Sequence, residues 1–148
     1  MGTKPERFQE TIDLIASRLQ GADYAIRGTA SLVLQGLDMN VDDIDVGGDK
    51  TMALACNDLF KEFIISPVNY SESPKYKSYF GKFKINDILV EVYGDWQIKN
   101  PKGVWERAVF ERVEADGIYL TSIESELKAY AAMGRWSVLH KIKRQLAI

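Results

Sequence analysis

The fold is decided by residues 27–46, which read RGTASLVLQGLDMNVDDIDV. The segment opens on a Gly-Thr pair, continues as a short apolar helix and ends in a strand over 43–46. Side chains two apart on a strand point to the same face, so Asp43 and Asp45 are expected together, while the apolar residues beside them enter the core. The sequence therefore predicts two carboxylates on a rigid strand, close to the start of a helix.

Two carboxylates in this arrangement indicate a metal site. Their charges repel by about a few kcal/mol at an effective dielectric constant of ~20, and a divalent cation relieves that repulsion. Magnesium is usually held by one or two carboxylates together with phosphate oxygens of a nucleotide. The motif therefore predicts magnesium-nucleotide chemistry. The alternative is that Asp43 and Asp45 are solvated loop acids before Gly47-Gly48; the helix start upstream favours the metal site.

Length and composition predict an ordinary globular domain. With 148 residues, 46% hydrophobic and 27% charged, the chain suits a single domain with a real core. A net charge of -2 gives no global attraction to nucleic acid, and the lone Cys56 excludes a disulfide within the monomer. No apolar run is long enough to span a bilayer and the first residues are too polar for a secretory signal, so we expect a cytoplasmic protein that does not enter membranes.

Hydrophobic periodicity and turn residues predict an α/β (α+β) fold, with a mixed β-sheet flanked by helices and with C-terminal helices. The predicted helices cover 6–19, 29–37, 51–60, 127–133 and 136–146, and the strands cover 24–27, 43–46, 63–67, 83–85, 88–90, 109–113 and 118–120. Hairpin turns are expected at 86–87 and 115–117, a loop at 69–74, and a capping box formed by Thr121 and Glu124. The whole chain, 1–148, is expected to be one domain, with a core over about 21–95 and a C-terminal hairpin and helices over about 104–148.

Glu91 is the natural third carboxylate. It interrupts the apolar run 89–93, and an acid on a core strand is costly unless it is paired or bound to a metal. The alternative is a half-exposed charge on an edge strand that discourages aggregation. The pairing with the aspartate strand favours a ligand.

These residues resemble the nucleotidyltransferase superfamily related to DNA polymerase β, over roughly 24–93. In that family a Gly-Gly or Gly-Ser pair begins a helix beside the triphosphate, and an Asp-x-Asp pair with a third acid binds two metals. The positions in this chain that match are Gly28, Thr29, Asp43, Asp45 and Glu91. The chain departs from the pattern in having Thr29 in place of Gly or Ser, and in lacking an Arg over 38–40, before the acidic pair.

The resemblance implies a small, stand-alone nucleotidyltransferase that moves a nucleoside monophosphate from a nucleoside triphosphate, with ATP as the expected donor, to an unknown acceptor. Asp43, Asp45 and Glu91 are then the catalytic and metal-binding residues for Mg²⁺ or Mn²⁺, and Gly28 and Thr29 bind the nucleotide. A weaker likeness over 121–135 adds Lys128 as a phosphate contact, although a lysine on a helix is more often solvated. The acceptor could be a small molecule, a protein side chain or an RNA end.

The alternative function is a catalytically inactive nucleotidyltransferase-like binding module, or an antitoxin-type subunit with a protein partner. A homo-oligomer also stays open. Trp96, Trp105 and Trp136 are expected to pack at the periphery of the core, although one of them could stack on a nucleotide base.

Overall fold

A computed structural model describes residues 5–108 and 110–147 of the chain. In chain order its elements are α1 (Pro5–Arg18), β1 (Tyr24–Arg27), α2 (Gly28–Leu34), β2 (Asp43–Gly48), α3 (Lys50–Leu59), a short 3-10 helix (Lys61–Phe63), β3 (Ile64–Glu72), β4 (Tyr76–Ile85), β5 (Ile88–Lys99), β6 (Trp105–Arg107), β7 (Arg112–Ala115), β8 (Ile118–Thr121), α4 (Ile123–Ala132) and α5 (Trp136–Leu146).

The strands form one mixed sheet in the order β3-β4-β5-β2-β1-β8-β7, with β6 paired to β5. The pairs β2–β5 and β1–β8 are parallel, and the other pairs are antiparallel. The predicted mixed sheet with flanking and C-terminal helices is therefore confirmed. The strand that carries the two aspartates, β2, lies in the middle of the sheet, which holds its backbone from both sides.

The core is built as the hydrophobic spacing predicts. Phe8, Ile12 and Ile15 recur on one face of α1 and are buried, while Ile44 and Val46 are buried from β2. Complete burial of each such side chain stabilises the fold by about 1.5–3 kcal/mol. Because Ile44 and Val46 point into this core, the register of β2 is locked and its aspartates are held on the other face. Within the described residues, no helix combines the length and apolar character that crossing a membrane would require.

Both predicted hairpin turns are present. Asn86 and Asp87 have φ values of 53° and 64°, and Asp116 and Gly117 have values of 52° and 81°. Two successive positive φ values match the twist of the flanking strands and allow a two-residue connection. The strand predicted over 109–113 corresponds to β7, which begins at Arg112. Its first predicted residue, Val109, lies outside the described residues.

The loop predicted over 69–74 is wrong, because β3 continues to Glu72. Pro67 does not stop the strand, since β3 is the edge of the sheet and its pairing shifts register between Ser66 and Asn69. Proline lacks an N–H donor, and an edge strand with an irregular register tolerates that loss.

Three predicted boundaries also need correction. The helix expected over 29–37 begins at Gly28 and ends at Leu34. β2 does not stop before Gly47 but runs on through Gly48. Thr121 does not cap α4: the cap is the next residue, Ser122, whose side chain accepts a hydrogen bond from the backbone N–H of residue 125. The sequence offers two neighbouring hydroxyls here, and only the backbone direction at the end of β8 decides between them.

Candidate functional site

Two parallel strands bring three acidic side chains together. Asp45 on β2 lies directly beside Glu91 on β5, and Asp43 precedes Asp45 by two residues on the same face. One carboxylate oxygen from each of the three residues lies within 4.8 Å of the others. The convergence expected from the sequence is therefore what the strand register produces, and Asp42 stays exposed outside the cluster.

Gly28 lies against this cluster. β1 pairs with β2 so that Arg27 is opposite Asp45, which puts the next residue, Gly28, beside the aspartate. Gly28 has φ +63°, and a Cβ at this position would lie 2.8 Å from Asp45 Oδ2. Both the backbone angle and the space therefore require glycine here. Thr29 follows in the first turn of α2 and faces Tyr130 of α4.

The three carboxylates hold their protons more tightly than usual. Burial, then the charges of Asp43 and Glu91, raise the pKa of Asp45 to about 7. Burial also raises the pKa of Asp43 and of Glu91, and a neighbouring acid adds to the effect at each. Asp45 Oδ1 is buried and has no hydrogen-bond partner among the described residues. A cluster of like charges with a buried, unpaired oxygen suits a divalent cation, which supplies the missing positive charge.

Glu91 is not an edge-strand charge. β5 lies between β4 and β2, so the alternative interpretation of this acid as protection of a sheet edge does not hold. Its neighbour across the antiparallel pair is Lys82, and the Tyr93 hydroxyl donates a long hydrogen bond of 3.5 Å to Glu91 Oε1. The Tyr93 hydroxyl is therefore in place to hold the Glu91 carboxylate.

A buried ion pair lies behind the cluster. The side chains of Arg27 and Glu126 are 4% and 3% exposed, and Arg27 Nε lies 3.7 Å from Glu126 Oε2. The Arg27 guanidinium carbon lies over the rings of Trp96 and Phe110, at distances of 4.5 and 4.6 Å from the ring centroids. The Thr121 hydroxyl donates a hydrogen bond to Glu126 Oε2.

The sequence analysis did not predict this pair. The available signal was the charge of Arg27 at the end of the short apolar run 24–27. A charge in an apolar run is also the reason that Glu91 was singled out. Glu126 carried no comparable signal, because acids are common in the first turns of helices and its burial depends on how α4 packs.

A cavity of about 360 Å³ adjoins the cluster, between the sheet and α4. Its floor contains Gly28, Asp45 and the buried ion pair. One wall carries aromatic side chains and serines, and the other is mainly apolar with one arginine; these walls comprise Ser71, Ser73, Tyr76, Ser78, Phe80, Tyr93 and Trp96 on one side, and Ala129, Tyr130, Met133 and Arg135 on the other. Trp96 is therefore the tryptophan that lies beside the site, whereas Trp136 is half exposed on α5.

Lys128 is not brought to the cluster. The α4 residues that line the cavity include Glu126, Ala129 and Tyr130, whereas Lys128 is exposed. At about 100° per residue, Lys128 lies roughly 200° around the helix from Glu126, on the opposite face. This placement does not support the predicted phosphate contact and agrees with the alternative of a solvated lysine.

Comparison with solved structures identifies two proteins that share this architecture over almost their whole length. A crystal structure from Thermotoga maritima, described as a candidate nucleotidyltransferase, is 29% identical, with 98% of this chain and 96% of that chain covered and a TM-score of 0.79. The lincosamide antibiotic adenylyltransferase LnuA, solved with lincomycin bound, is 14% identical, with 97% and 98% covered and a TM-score of 0.57. No protein-family model and no curated protein matches the chain. The chain has the nucleotidyltransferase fold that the glycine-led helix and the acidic strand indicate.

Proposed function

We propose that this chain is a metal-dependent nucleotidyltransferase, which transfers a nucleoside monophosphate from a nucleoside triphosphate to a hydroxyl group of an acceptor, with ATP as the expected donor. The observation that carries the proposal is the convergence of Asp43, Asp45 and Glu91 next to Gly28. The two structural neighbours support it, since one is described as a candidate nucleotidyltransferase and the other as an adenylyltransferase.

The donor set of the cluster fits a hard divalent cation. Asp43, Asp45 and Glu91 offer oxygen ligands, and Asp45 Oδ1 has unused hydrogen-bonding capacity among the described residues. These three residues would hold Mg²⁺ or Mn²⁺. When bound, such an ion lowers the pKa of a hydroxyl nucleophile and stabilises the charge that builds up on the phosphate oxygens.

The residues on the floor of the site would receive the triphosphate. Gly28 has no side chain, so phosphate oxygens can approach the backbone where any other residue would crowd Asp45. Thr29 adds a hydroxyl donor at the next position. The Gly28-Thr29 pair would therefore bind the triphosphate beside the three acids that would bind the metal ions.

The reaction then exchanges one phosphoester bond for another. The acceptor hydroxyl oxygen forms a bond to the α-phosphorus of the donor, and the bond from that phosphorus to the bridging oxygen of the β-phosphate breaks. Pyrophosphate leaves with the electron pair of the broken bond. The hydroxyl proton passes to a carboxylate of the acidic cluster.

The test is nucleotide transfer by the purified protein and two conservative variants. Nucleoside triphosphates labelled at the α-phosphate, with Mg²⁺ or Mn²⁺, are screened against the protein itself, RNA and hydroxylated small molecules. We expect Asp43→Asn and Asp45→Asn each to lower transfer about a hundredfold or more, because removal of one ligand removes several kcal/mol of transition-state stabilisation. Transfer at the wild-type rate in both variants would contradict the proposal. Nucleotide binding without any transfer would instead favour an inactive binding module.

A further inference from the structure

The cavity beside the acidic cluster has the size and lining of a small-molecule site. Its volume of about 360 Å³ falls within the roughly 300–1,000 Å³ of such sites. Asp45 and Gly28 belong to its floor, whereas Asp43 and Glu91 do not line it. The cavity therefore opens from one side of the cluster, and a molecule bound in it can present a group to Asp45.

The walls of the cavity favour a flat molecule. On the sheet, Trp96 is tilted against Tyr76 and Tyr93, with ring centroids 5.9 and 5.5 Å apart and interplanar angles of 38° and 34°. Tyr130 of α4 and Met133, which follows the last residue of that helix, face this wall. The aromatic side chains of the sheet form one side of the cavity, and the Tyr130 ring and the Met133 thioether form the other. A planar ring of a ligand can stack against both sides.

Arg27 gives the cavity a fixed positive group with unused hydrogen-bond donors. Its side chain is 4% exposed and lines the cavity, and Nε and Nη1 are buried without a hydrogen-bond partner among the described residues. Glu126 is 3.7 Å away, which is an ion-pair distance and too long for a hydrogen bond. The ring centroids of Trp96 and Phe110 lie 4.5 and 4.6 Å from the guanidinium carbon. A ligand oxygen with negative charge is the group that satisfies such donors best.

The position of Arg27 separates this anion from the phosphates of the donor. The Arg27 side chain crosses Gly47, which leaves no room for a Cβ there, so the guanidinium extends along β2 on the side of Asp45 away from Asp43. In the proposed reaction the donor's phosphates lie at Gly28 and the acidic cluster, and its base carries no negative charge. An anion on a ring-bearing molecule at Arg27 therefore belongs to the second substrate.

We infer that this cavity binds the acceptor, and that the acceptor is a small molecule built on a flat ring which carries a hydroxyl group and a carboxylate or phosphate group. The ring lies between the aromatic wall and α4, the anion pairs with Arg27, and the hydroxyl is presented to Asp45. This inference rests on the proposed function for the role of acceptor, whereas the binding preference for a ring with an anion stands on the cavity alone.

The test is direct binding, measured without metal or nucleotide, so that it does not depend on transfer. The probes are 4-hydroxybenzoate and phenyl phosphate, with the uncharged 4-hydroxybenzyl alcohol and phenol as their counterparts, and binding is followed by tryptophan fluorescence and ligand-observed NMR. We expect at least one anionic probe to bind about tenfold or more tightly than its neutral counterpart, because a hydrogen bond to a buried charge is stronger than one between neutral groups. The probe that shows this preference distinguishes a carboxylate from a phosphate ligand.

Two variants assign the binding to this cavity. The double substitution Arg27→Met with Glu126→Gln removes both charges of the buried pair together, and should abolish the preference for the anion. Ala129→Leu fills the cavity without changing any charge, and should weaken all the probes tenfold or more. Its matched control is Ala132→Leu, the same change on the same helix at a position that does not line the cavity, which should leave binding unchanged.

Three results would overturn the inference. Two are equal affinity for charged and neutral probes, and probe binding that survives Ala129→Leu. The third is displacement of 4-hydroxybenzoate by ATP in the absence of metal, because it would place the donor in this cavity. Each can occur whether or not the protein transfers nucleotides. A protein that transfers nucleotides but shows no anion preference loses only the inference. One that binds the probes but transfers nothing loses the proposed function and with it the role of acceptor, and keeps only the binding preference.

Discussion

Two neighbouring groups of charged side chains combine their charges in opposite ways. In the pair of Arg27 and Glu126, opposite charges are 3.7 Å apart and both side chains are almost completely buried. In the acidic cluster, three like charges share a space of 4.8 Å, and their pKa values are raised. The first group joins α4 to β1 through attraction. The second is held together only because β2 and β5 are fixed by the core.

The difference separates a contact that stabilises the fold from one that costs stability. Removal of one member of a buried pair leaves an isolated charge, which is strongly unfavourable. Removal of one member of a repelling cluster relieves strain, unless a cation is present. A charge-removing substitution should therefore lower the free energy of unfolding in the buried pair and raise it in the metal-free acidic cluster.

The largest effect is expected from breaking the buried pair on one side only. Glu126→Gln should lower the free energy of unfolding by about 3–5 kcal/mol, because the buried Arg27 guanidinium then loses its main counter-charge. Urea unfolding monitored by circular dichroism measures the change. The control is Glu124→Gln on the exposed face of α4, which should shift stability by less than about 0.5 kcal/mol. If Glu126→Gln is as stable as Glu124→Gln, the buried pair contributes nothing to the stability of the fold.

The acidic cluster should show the reverse behaviour. In the metal-free protein at pH 8, Asp45→Asn is expected to raise the free energy of unfolding by roughly 2 kcal/mol, because it removes a buried charge whose pKa is raised to about 7. Urea unfolding again provides the measurement, with the exposed Asp58→Asn as the control. A loss of stability in Asp45→Asn would mean that the cluster is held by contacts stronger than its repulsion.

The same cluster gives the metal-free protein a characteristic pH dependence. The pKa of Asp45 is about 7 in the folded state and 3.8 ordinarily, so between these values the folded state binds more protons than the unfolded state. Stability from this group is therefore full below pH 4 and falls as the pH rises toward 7. The pKa values of Asp43 and Glu91 are raised as well and act in the same direction. Thermal unfolding from pH 5 to pH 8 should show this decline, which Mg²⁺ should reverse and Asp45→Asn should reduce.

Much of the cluster could be predicted from the sequence, because its geometry is a property of strands. Alternation places Asp43 and Asp45 on one face, and an acid inside the apolar run 89–93 indicates that Glu91 has a special environment. The pairing of β2 with β5 was not readable in the same way, since parallel partners far apart in the chain are chosen by the packing of the whole sheet. The family resemblance supplied that link.

The cavity and its ion pair were beyond such reasoning. Arg27 could have been noticed as a charge on a buried strand, but its partner is 99 residues away in sequence. The family resemblance gives Lys128 as a phosphate contact, whereas the rotation of α4 that turns Glu126 toward the site instead depends on tertiary packing. The polar segment 69–74 misled for a related reason, since whether a strand lies at an edge is a property of the sheet and cannot be read from the strand alone.

A smaller effect is expected where the backbone meets the cluster. Gly28→Ala should lower stability by about 1–2 kcal/mol, since alanine is strained at φ +63° and its Cβ would be 2.8 Å from Asp45 Oδ2. The matched control is Gly21→Ala, where φ is +84° but no atom lies within 4 Å of the added Cβ. The difference between the two variants measures the crowding of Asp45. Equal losses in both would show that only the backbone angle matters at Gly28.

The smallest effect should come from the tyrosine that orients Glu91. Tyr93→Phe removes a hydrogen bond of 3.5 Å to Glu91 Oε1 and keeps the ring in the cavity wall. Because the bond is long, we expect stability to change by less than about 1 kcal/mol and transfer to fall by less than about tenfold. Tyr70→Phe is the control, since it removes a shorter bond of 2.6 Å, to Glu72 on the exposed edge strand. If transfer falls equally in the two variants, orientation of Glu91 by Tyr93 has no part in the reaction. A fall confined to Tyr93→Phe would show that even this long contact affects transfer, because it acts on a carboxylate of the proposed metal site.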